Sequence, residues 1–394
     1  MKLFPFSTPI FALSISEEAL CLVEIKRQWR KILLHQVKKI PLPQGVVKLS
    51  SAKPNIENPD EFLTRLKTLV EPSHRPLSLV LSLPDLCSRT SVFDFSTFPT
   101  KKQDQTALVN WRFQQDLKLD TSRSRLGFGV YVPTSVTDSP SPDNPEHVRV
   151  LGTAIRNEIV EQYERMCLEA NLIPTSVGIS GLDIFDLYRS TIQDILEAED
   201  GHSSPSFSPV AMFLFISHWG FMFLAVQEGS PCFIRTKAIA VKAEVNNPQG
   251  DFPVSEFDST RRGNGHGDQF SGETVPPNIL DTETPNLPYP SYTIMKVGKE
   301  ILATLQYYLE AFPSNTTTAS TVNLFVATDL RHGQSLMPPT DHIQRTLKAS
   351  GGHEPQIRVT ALSPASHFHP QGTHIESNNE EESALPGYAS LMVA

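Results

Sequence analysis

The stretch Phe11-Ala12-Leu13-Ser14-Ile15-Ser16-Glu17-Glu18-Ala19-Leu20-Cys21-Leu22-Val23-Glu24-Ile25 decides how the rest of the chain is read. Apolar runs at residues 11–15 and 19–25 flank three polar residues, a spacing that predicts two strands joined by a tight turn. The same outline recurs where Val210-Ala211-Met212-Phe213-Leu214-Phe215-Ile216 and Phe221-Met222-Phe223-Leu224-Ala225-Val226 surround Ser217-His218-Trp219-Gly220. This second segment approaches the length of a membrane-spanning helix. Its polar, glycine-containing centre and its aromatic and β-branched runs instead predict a buried hairpin, and with it a cytoplasmic chain.

Composition sets the limits. A chain of 394 residues can bury a sizeable core and divide into more than one domain. An apolar fraction of 39%, a charged fraction of 20% and 32 prolines imply that part of it is loop. The formal net charge of -9 argues against nucleic acid as a partner, which calls for a basic face to replace phosphate counterions. Lys26, Arg27, Arg30, Lys31, Lys38 and Lys39 read as a solvated hairpin. Cys21, Cys87, Cys167 and Cys232 lie far apart without a CxxC pair, the pattern of core residues in a reducing compartment. Pro5 and Pro9 interrupt the apolar N-terminus, so no signal peptide is read there.

Further landmarks follow in order. Cys21-Leu22-Val23-Glu24-Ile25 precedes basic residues and then Ile40-Pro41-Leu42-Pro43-Gln44-Gly45-Val46-Val47. Asn58-Pro59-Asp60-Glu61-Phe62 opens a helix and Leu79-Val80-Leu81-Ser82-Leu83-Pro84 reads as a buried strand. An acidic, aromatic helix contains Leu108-Val109-Asn110-Trp111-Arg112-Phe113-Gln114-Gln115-Asp116. Val150-Leu151-Gly152-Thr153-Ala154-Ile155-Arg156 leads into a helix ending at Ala170-Asn171-Leu172-Ile173-Pro174, and a late helix carries Glu300-Ile301-Leu302-Ala303-Thr304-Leu305-Gln306-Tyr307-Tyr308. In this order the segments resemble the type IV pilus assembly protein PilM family of the actin-like ATPase superfamily. The resemblance implies an α/β, actin-like (ribonuclease H-like) two-lobed fold with a small inserted α+β subdomain.

The resemblance also locates three nucleotide signatures, and each has lost the residues its chemistry requires. In the first phosphate hairpin Ser14 stands at the position of the Mg²⁺-shell Asp and Ser16 at the Gly, while Glu17 and Glu18 stand where phosphate charge would lie. In the second, Phe215 falls on the Asp and Ser217 on the Gly; an aromatic ring can neither hold Mg²⁺ nor orient water. The adenosine turn after Val322-Asn323-Leu324-Phe325-Val326 reads Ala327-Thr328-Asp329-Leu330-Arg331-His332-Gly333, with one glycine, and the glycine pair expected near Ala238-Ile239-Ala240-Val241-Lys242 is missing. The expectation is a pseudo-ATPase with no catalytic residue, no metal and no ATP or Mg²⁺ cofactor.

Other motifs carry less. Gly263-Asn264-Gly265-His266-Gly267 follows no strand. His367, His369 and His374 lack ligand-spaced cysteines or carboxylates. Gly178-Ile179-Ser180-Gly181 misses the nucleophile-elbow pattern by one position. The organisation expected is a first lobe at residues 1–83, an insert at 84–174, a return to the first lobe at 175–205, a second lobe at 206–360 with a flexible insertion at 246–290, and a tail at 361–394 that docks on the first lobe. Within it, a helix is expected over residues 175–199, with Ser180 as a cap, and a terminal helix from Pro386.

The function this resemblance implies is a non-catalytic cytoplasmic scaffold of the type IV pilus machine serving twitching motility. It would receive the N-terminal peptide of a PilN-like inner-membrane protein in a groove between the first lobe and the insert, and link it to the assembly motor ATPase. Phe93, Phe95, Trp111, Arg112 and Phe128 are the candidate groove residues, and residue by residue the strand alternation of Phe93 and Phe95 around Asp94 also fits core. The alternatives are a nucleotide-dependent ATPase or switch and the cytoplasmic part of a type II secretion L protein. Whether the chain forms dimers or filaments stays open.

Overall fold

The computed structural model describes residues 11–28, 31–70, 76–131, 148–200, 210–227, 229–239, 291–312, 321–330, 333–348, 356–363 and 378–393. The expected loops at 133–145 and 246–290, the Gly263–Gly267 motif and the three late histidines lie outside these residues.

The opening hairpin forms as its sequence predicts. Strand β1 (Phe11–Ile15) pairs antiparallel with β2 (Ala19–Gln28), and β2 with β3 (Lys31–Pro41). Strands β4 (Leu77–Leu83) and β8 (Leu172–Ile179) add in parallel on the other side, giving the order β3-β2-β1-β4-β8. A second sheet repeats that plan. Strands β9 (Val210–Ser217), β10 (Gly220–Gln227) and β11 (Ser230–Ala238) pair antiparallel, and β12 (Thr321–Thr328) and β13 (Gln356–Ala361) add in parallel, in the order β11-β10-β9-β12-β13. Each lobe is therefore a three-stranded antiparallel meander extended by two parallel strands. Parallel strands must be covered on both faces, and helices supply the cover.

On the outer face of the first sheet, helices α1 (Pro59–Leu69) and α3 (Asn157–Glu169) bury Phe62, Leu66, Ile159 and Tyr163 against Leu13, Leu22 and Leu81. The α1 start is set by Asn58, whose side chain accepts from Glu61 N at 3.2 Å, with Pro59 at the first position. On the outer face of the second sheet, α5 (Ser291–Ala311) and α6 (Thr340–Lys348) cover Met212, Leu214 and Leu324. Between the sheets lie α4 (Ser180–Asp200) and the terminal helix α7 (Asn378–Val393). Their Phe185, Tyr188, Leu385 and Tyr388 share one cluster with Val23 and Val80 of the first sheet and Phe213 and Phe215 of the second.

Two expectations are corrected. Residues 175–179 are not helical: they complete β8, where Leu79 pairs with Pro174 and Val80 with Ser176, and the helix begins only at Ser180. Hydrogen bonding to the neighbouring strand β4 overrides the helical reading. The terminal helix starts at Asn378 and contains Pro386 within it, rather than beginning there; its Ala384, Leu385 and Tyr388 share the cluster with Val23 and Val80 of the first sheet and Phe213 of the second.

The insert is the antiparallel sheet β5-β7-β6, made of β5 (Arg89–Phe95), β6 (Ser124–Tyr131) and β7 (Val148–Arg156), covered by α2 (Lys102–Leu117). The sequence grouped residues 157–170 with it, yet the apolar face of α3 belongs to the first-lobe cluster. Arg149 ties the insert to the second lobe, donating to the Gln227 carbonyl at 3.5 Å and to Gln227 Oε1 at 3.4 Å.

Residues 210–227 are a hairpin, with Gly220 at φ 139° in its turn. A Cβ there would lie 2.0 Å from the Lys237 carbonyl oxygen. No described helix is long and apolar enough to cross a membrane. The four cysteines are thiols, not disulfides, and three of them are buried.

Candidate functional site

The two hairpin turns face one another between the lobes, and the first has spent its backbone donors. Ser16 N–H donates to the Ala19 carbonyl at 3.0 Å. Glu18 N–H and Ala19 N–H both donate to Ser16 Oγ, at 3.3 and 2.9 Å. Glu17 N–H donates to His218 Nε2 at 3.4 Å. A phosphate-binding loop works by aiming unpaired N–H groups at the anion, whereas here all four are paired within the chain. Glu17 turns its carboxylate aside to accept from Leu49 N–H at 2.8 Å, and Ser14 is buried opposite Cys21.

In the second turn, Phe215 is fully buried in the layer between the sheets, edge-on to Trp219 at 6.4 Å. Ser217 Oγ donates to Asp329 Oδ2 at 2.9 Å and lies 3.2 Å from His218 Nδ1. Burial, reinforced by Lys39, pushes the His218 imidazole down to about 4, so it is neutral at physiological pH. Burial pushes Asp329 up to about 7 against its bond from Ser217. At the adenosine turn, a Cβ on Gly333 would lie 2.0 Å from Thr328 Oγ1; residues 331 and 332 fall outside the described residues.

Two more carboxylates sit at the start of α4. Asp85 accepts from Gly181 N–H at 3.0 Å, and Asp183 accepts from Ser390 Oγ of the terminal helix at 2.5 Å. Burial drives each up to about 7. Among the described residues no group of three histidine, cysteine or carboxylate side chains is arranged to hold a metal.

A groove separates the first lobe from the insert. Its cavity of about 280 Å³ is lined by Arg125, Leu126 and Gly127 of β6, Thr153 and Ile155 of β7, Val160 and Glu164 of α3, and Pro174, Thr175, Ser176, Val177 and Ile179 of β8. Both β6 and β8 are edge strands of their sheets, so each presents a row of main-chain groups without a strand partner among the described residues. Arg125 spans the groove to Glu164 with two bonds, at 2.5 and 2.7 Å. Ser176 Oγ is buried and has no partner among the described residues.

The five aromatic and basic residues expected in this groove are elsewhere. Phe93 and Phe95 are buried in the insert core, Phe93 edge-on to Phe113 at 5.0 Å. Arg112 lies over both rings at 5.5 and 5.7 Å and pairs with Asp116 at 3.1 Å. Phe128 packs on the same core, and Trp111 is 51% exposed on α2. The groove residues were missed because 175–179 read as helix; Thr175, Val177 and Ile179, β-branched at alternate positions, carried the strand signal.

No protein-family model matches the chain, and no curated protein sequence does. Among solved structures, the chain is similar to one in the PilM-PilN type IV pilus biogenesis complex, with a TM-score of 0.61 and 16% identity over 98% of this chain and 97% of that one. A Bacteroides thetaiotaomicron protein with an actin-like ATPase fold aligns over 91% of this chain and 94% of its own, with a TM-score of 0.40 and 8% identity. The repeated sheet plan, the helices between the sheets and the first likeness agree: the chain has an actin-like ATPase fold.

Proposed function

We propose that the chain is a non-catalytic cytoplasmic scaffold of a type IV pilus assembly machine, whose groove between β6 and β8 receives the extended N-terminal tail of a PilN-like inner-membrane protein. The observation that carries this reading is the groove itself: the edge strands β6 and β8 both line it, its wall mixes apolar side chains with Arg125, Thr153, Glu164 and Thr175, and among the described residues the buried Ser176 Oγ has no partner. An extended peptide satisfies such a site by strand addition, with affinity from main-chain hydrogen bonds and specificity from side-chain pockets. The likeness to the PilM-PilN complex supports the kind of partner. The paired amides of the first hairpin support a cleft that neither binds nor hydrolyses nucleotide. Through its tail-bound partner the scaffold is peripheral to the inner membrane and connects it to the motor ATPase.

The test is a fluorescence-anisotropy titration of the labelled N-terminal peptide of the inner-membrane pilus protein against the full chain. Micromolar or tighter binding is expected, weakened by S176A and unchanged by W111A, which separates the groove from the outside of the insert. Absence of binding, or loss through W111A alone, refutes the groove as the peptide site.

A further inference from the structure

The hairpin turns of the two lobes are joined through one imidazole. Glu17 N–H belongs to the first sheet and His218 Nε2, 3.4 Å away, to the second. Because Nε2 accepts this bond, the ring proton is assigned to Nδ1, facing Ser217 Oγ at 3.2 Å. Ser217 then has its own proton to give, and Asp329 Oδ2 takes it at 2.9 Å. Every link from Glu17 through His218 and Ser217 to Asp329 thus has a donor and an acceptor with one consistent direction. His218 is 9% exposed and 201 positions from Glu17, so only the folded arrangement of the two lobes brings them together.

We propose that His218 is a built-in clasp: its imidazole occupies the space between the two turns and holds the lobes closed with no nucleotide between them. This rests on the reading of the cleft as one that does not take nucleotide. Three features favour a clasp over simple packing. The ring uses both nitrogens, one toward each lobe's turn. The Glu17 carboxylate, which would otherwise crowd it, is anchored on Leu49 N–H. The amides of Glu18 and Ala19 are retained by Ser16 Oγ, so Glu17 N–H alone remains for a contact across the cleft.

Hydrogen exchange of the full chain, read by mass spectrometry, tests it. Losing one buried hydrogen bond at the junction is expected to speed exchange of the residue 16–20 amides by about tenfold in H218A. In H218Q, whose amide can accept from Glu17 and donate to Ser217, the expected change is under about threefold. S217A removes both the acceptor of His218 Nδ1–H and the donor to Asp329, and is expected to speed exchange of the residue 217–220 amides most, with a smaller rise at residues 16–20; wild-type exchange in both turns would count against the clasp. Amides of Leu79–Leu83 in β4 report on the core and should stay unchanged in all three. Wild-type exchange of residues 16–20 in H218A overturns the clasp, as does a uniform increase that includes β4. Slowed exchange of the wild-type turn on adding Mg-ATP would instead refute the reading of the cleft, and leaves the H218A comparison to be judged by itself.

Discussion

Replacing Gly127 by valine is the sharpest perturbation of the peptide groove, because this glycine is a wall residue whose lost side chain has room. A Cβ at this position meets only Thr153 Cγ2, at the ordinary distance of 3.7 Å, and Thr153 is itself a groove wall. The backbone here has no positive φ, and valine suits a strand. Folding stability is therefore expected to change by less than about 0.5 kcal/mol. Three added carbons, each near the ~30 Å³ share of a water molecule, remove about 90 Å³, close to a third of the 280 Å³ cavity. Overfilling a packed site costs about 1–3 kcal/mol, which is roughly 5- to 150-fold in Kd. The assay is the anisotropy titration of the labelled peptide, with a melting curve to establish that G127V is folded. A folded G127V that binds the peptide as tightly as wild type refutes the groove as its site.

Stability should also fall as pH rises from about 4 to about 7. Asp85 and Asp183, raised from 3.8 to about 7 in the folded chain, each hold one more proton folded than unfolded in that window. Their stabilisation is complete below pH 4 and is lost toward pH 7, at about 1.4 kcal/mol per unit for each group. D85N should remove one such slope in urea unfolding at pH 5, 6 and 7. His218, held down to about 4, contributes the opposite slope between 4 and 6.5 in both proteins, so the difference isolates Asp85. Equal slopes would refute the assignment. G220A places a methyl 2.0 Å from the Lys237 carbonyl at φ 139°; a loss of at least about 2 kcal/mol in denaturant unfolding is expected, and a neutral effect would contradict the turn geometry.

Much of the architecture was legible in local pattern. The apolar runs around Ser16–Glu18 and around Ser217–Gly220 became hairpins whose strands are buried at nearly every position, as sheets covered on both faces require. The Asn58-Pro59 start gave α1 its boundary. What escaped depends on partners distant in sequence. Residues 175–179 lie beside a plausible helix start at Ser180, and only pairing with β4 makes them a strand. Of the groove candidates, Phe93 and Phe95 also fitted core by their alternation around Asp94, and that is where they lie, with Phe128 packed against them, because a three-stranded insert with one covering helix needs them there. The bond from Glu17 to His218 crosses two lobes and has no local signature, since a lone histidine in a turn reads the same whether or not it has a partner.

The central claim, that this actin-like cleft is held by its own side chains and takes no nucleotide, is tested most directly by the melting temperature of the full chain with and without millimolar Mg-ATP. A ligand that binds only the folded state at a hundred times its Kd adds about 2.7 kcal/mol, a shift well within reach of the measurement. The account predicts the same melting temperature in both samples; a nucleotide-specific rise would contradict it.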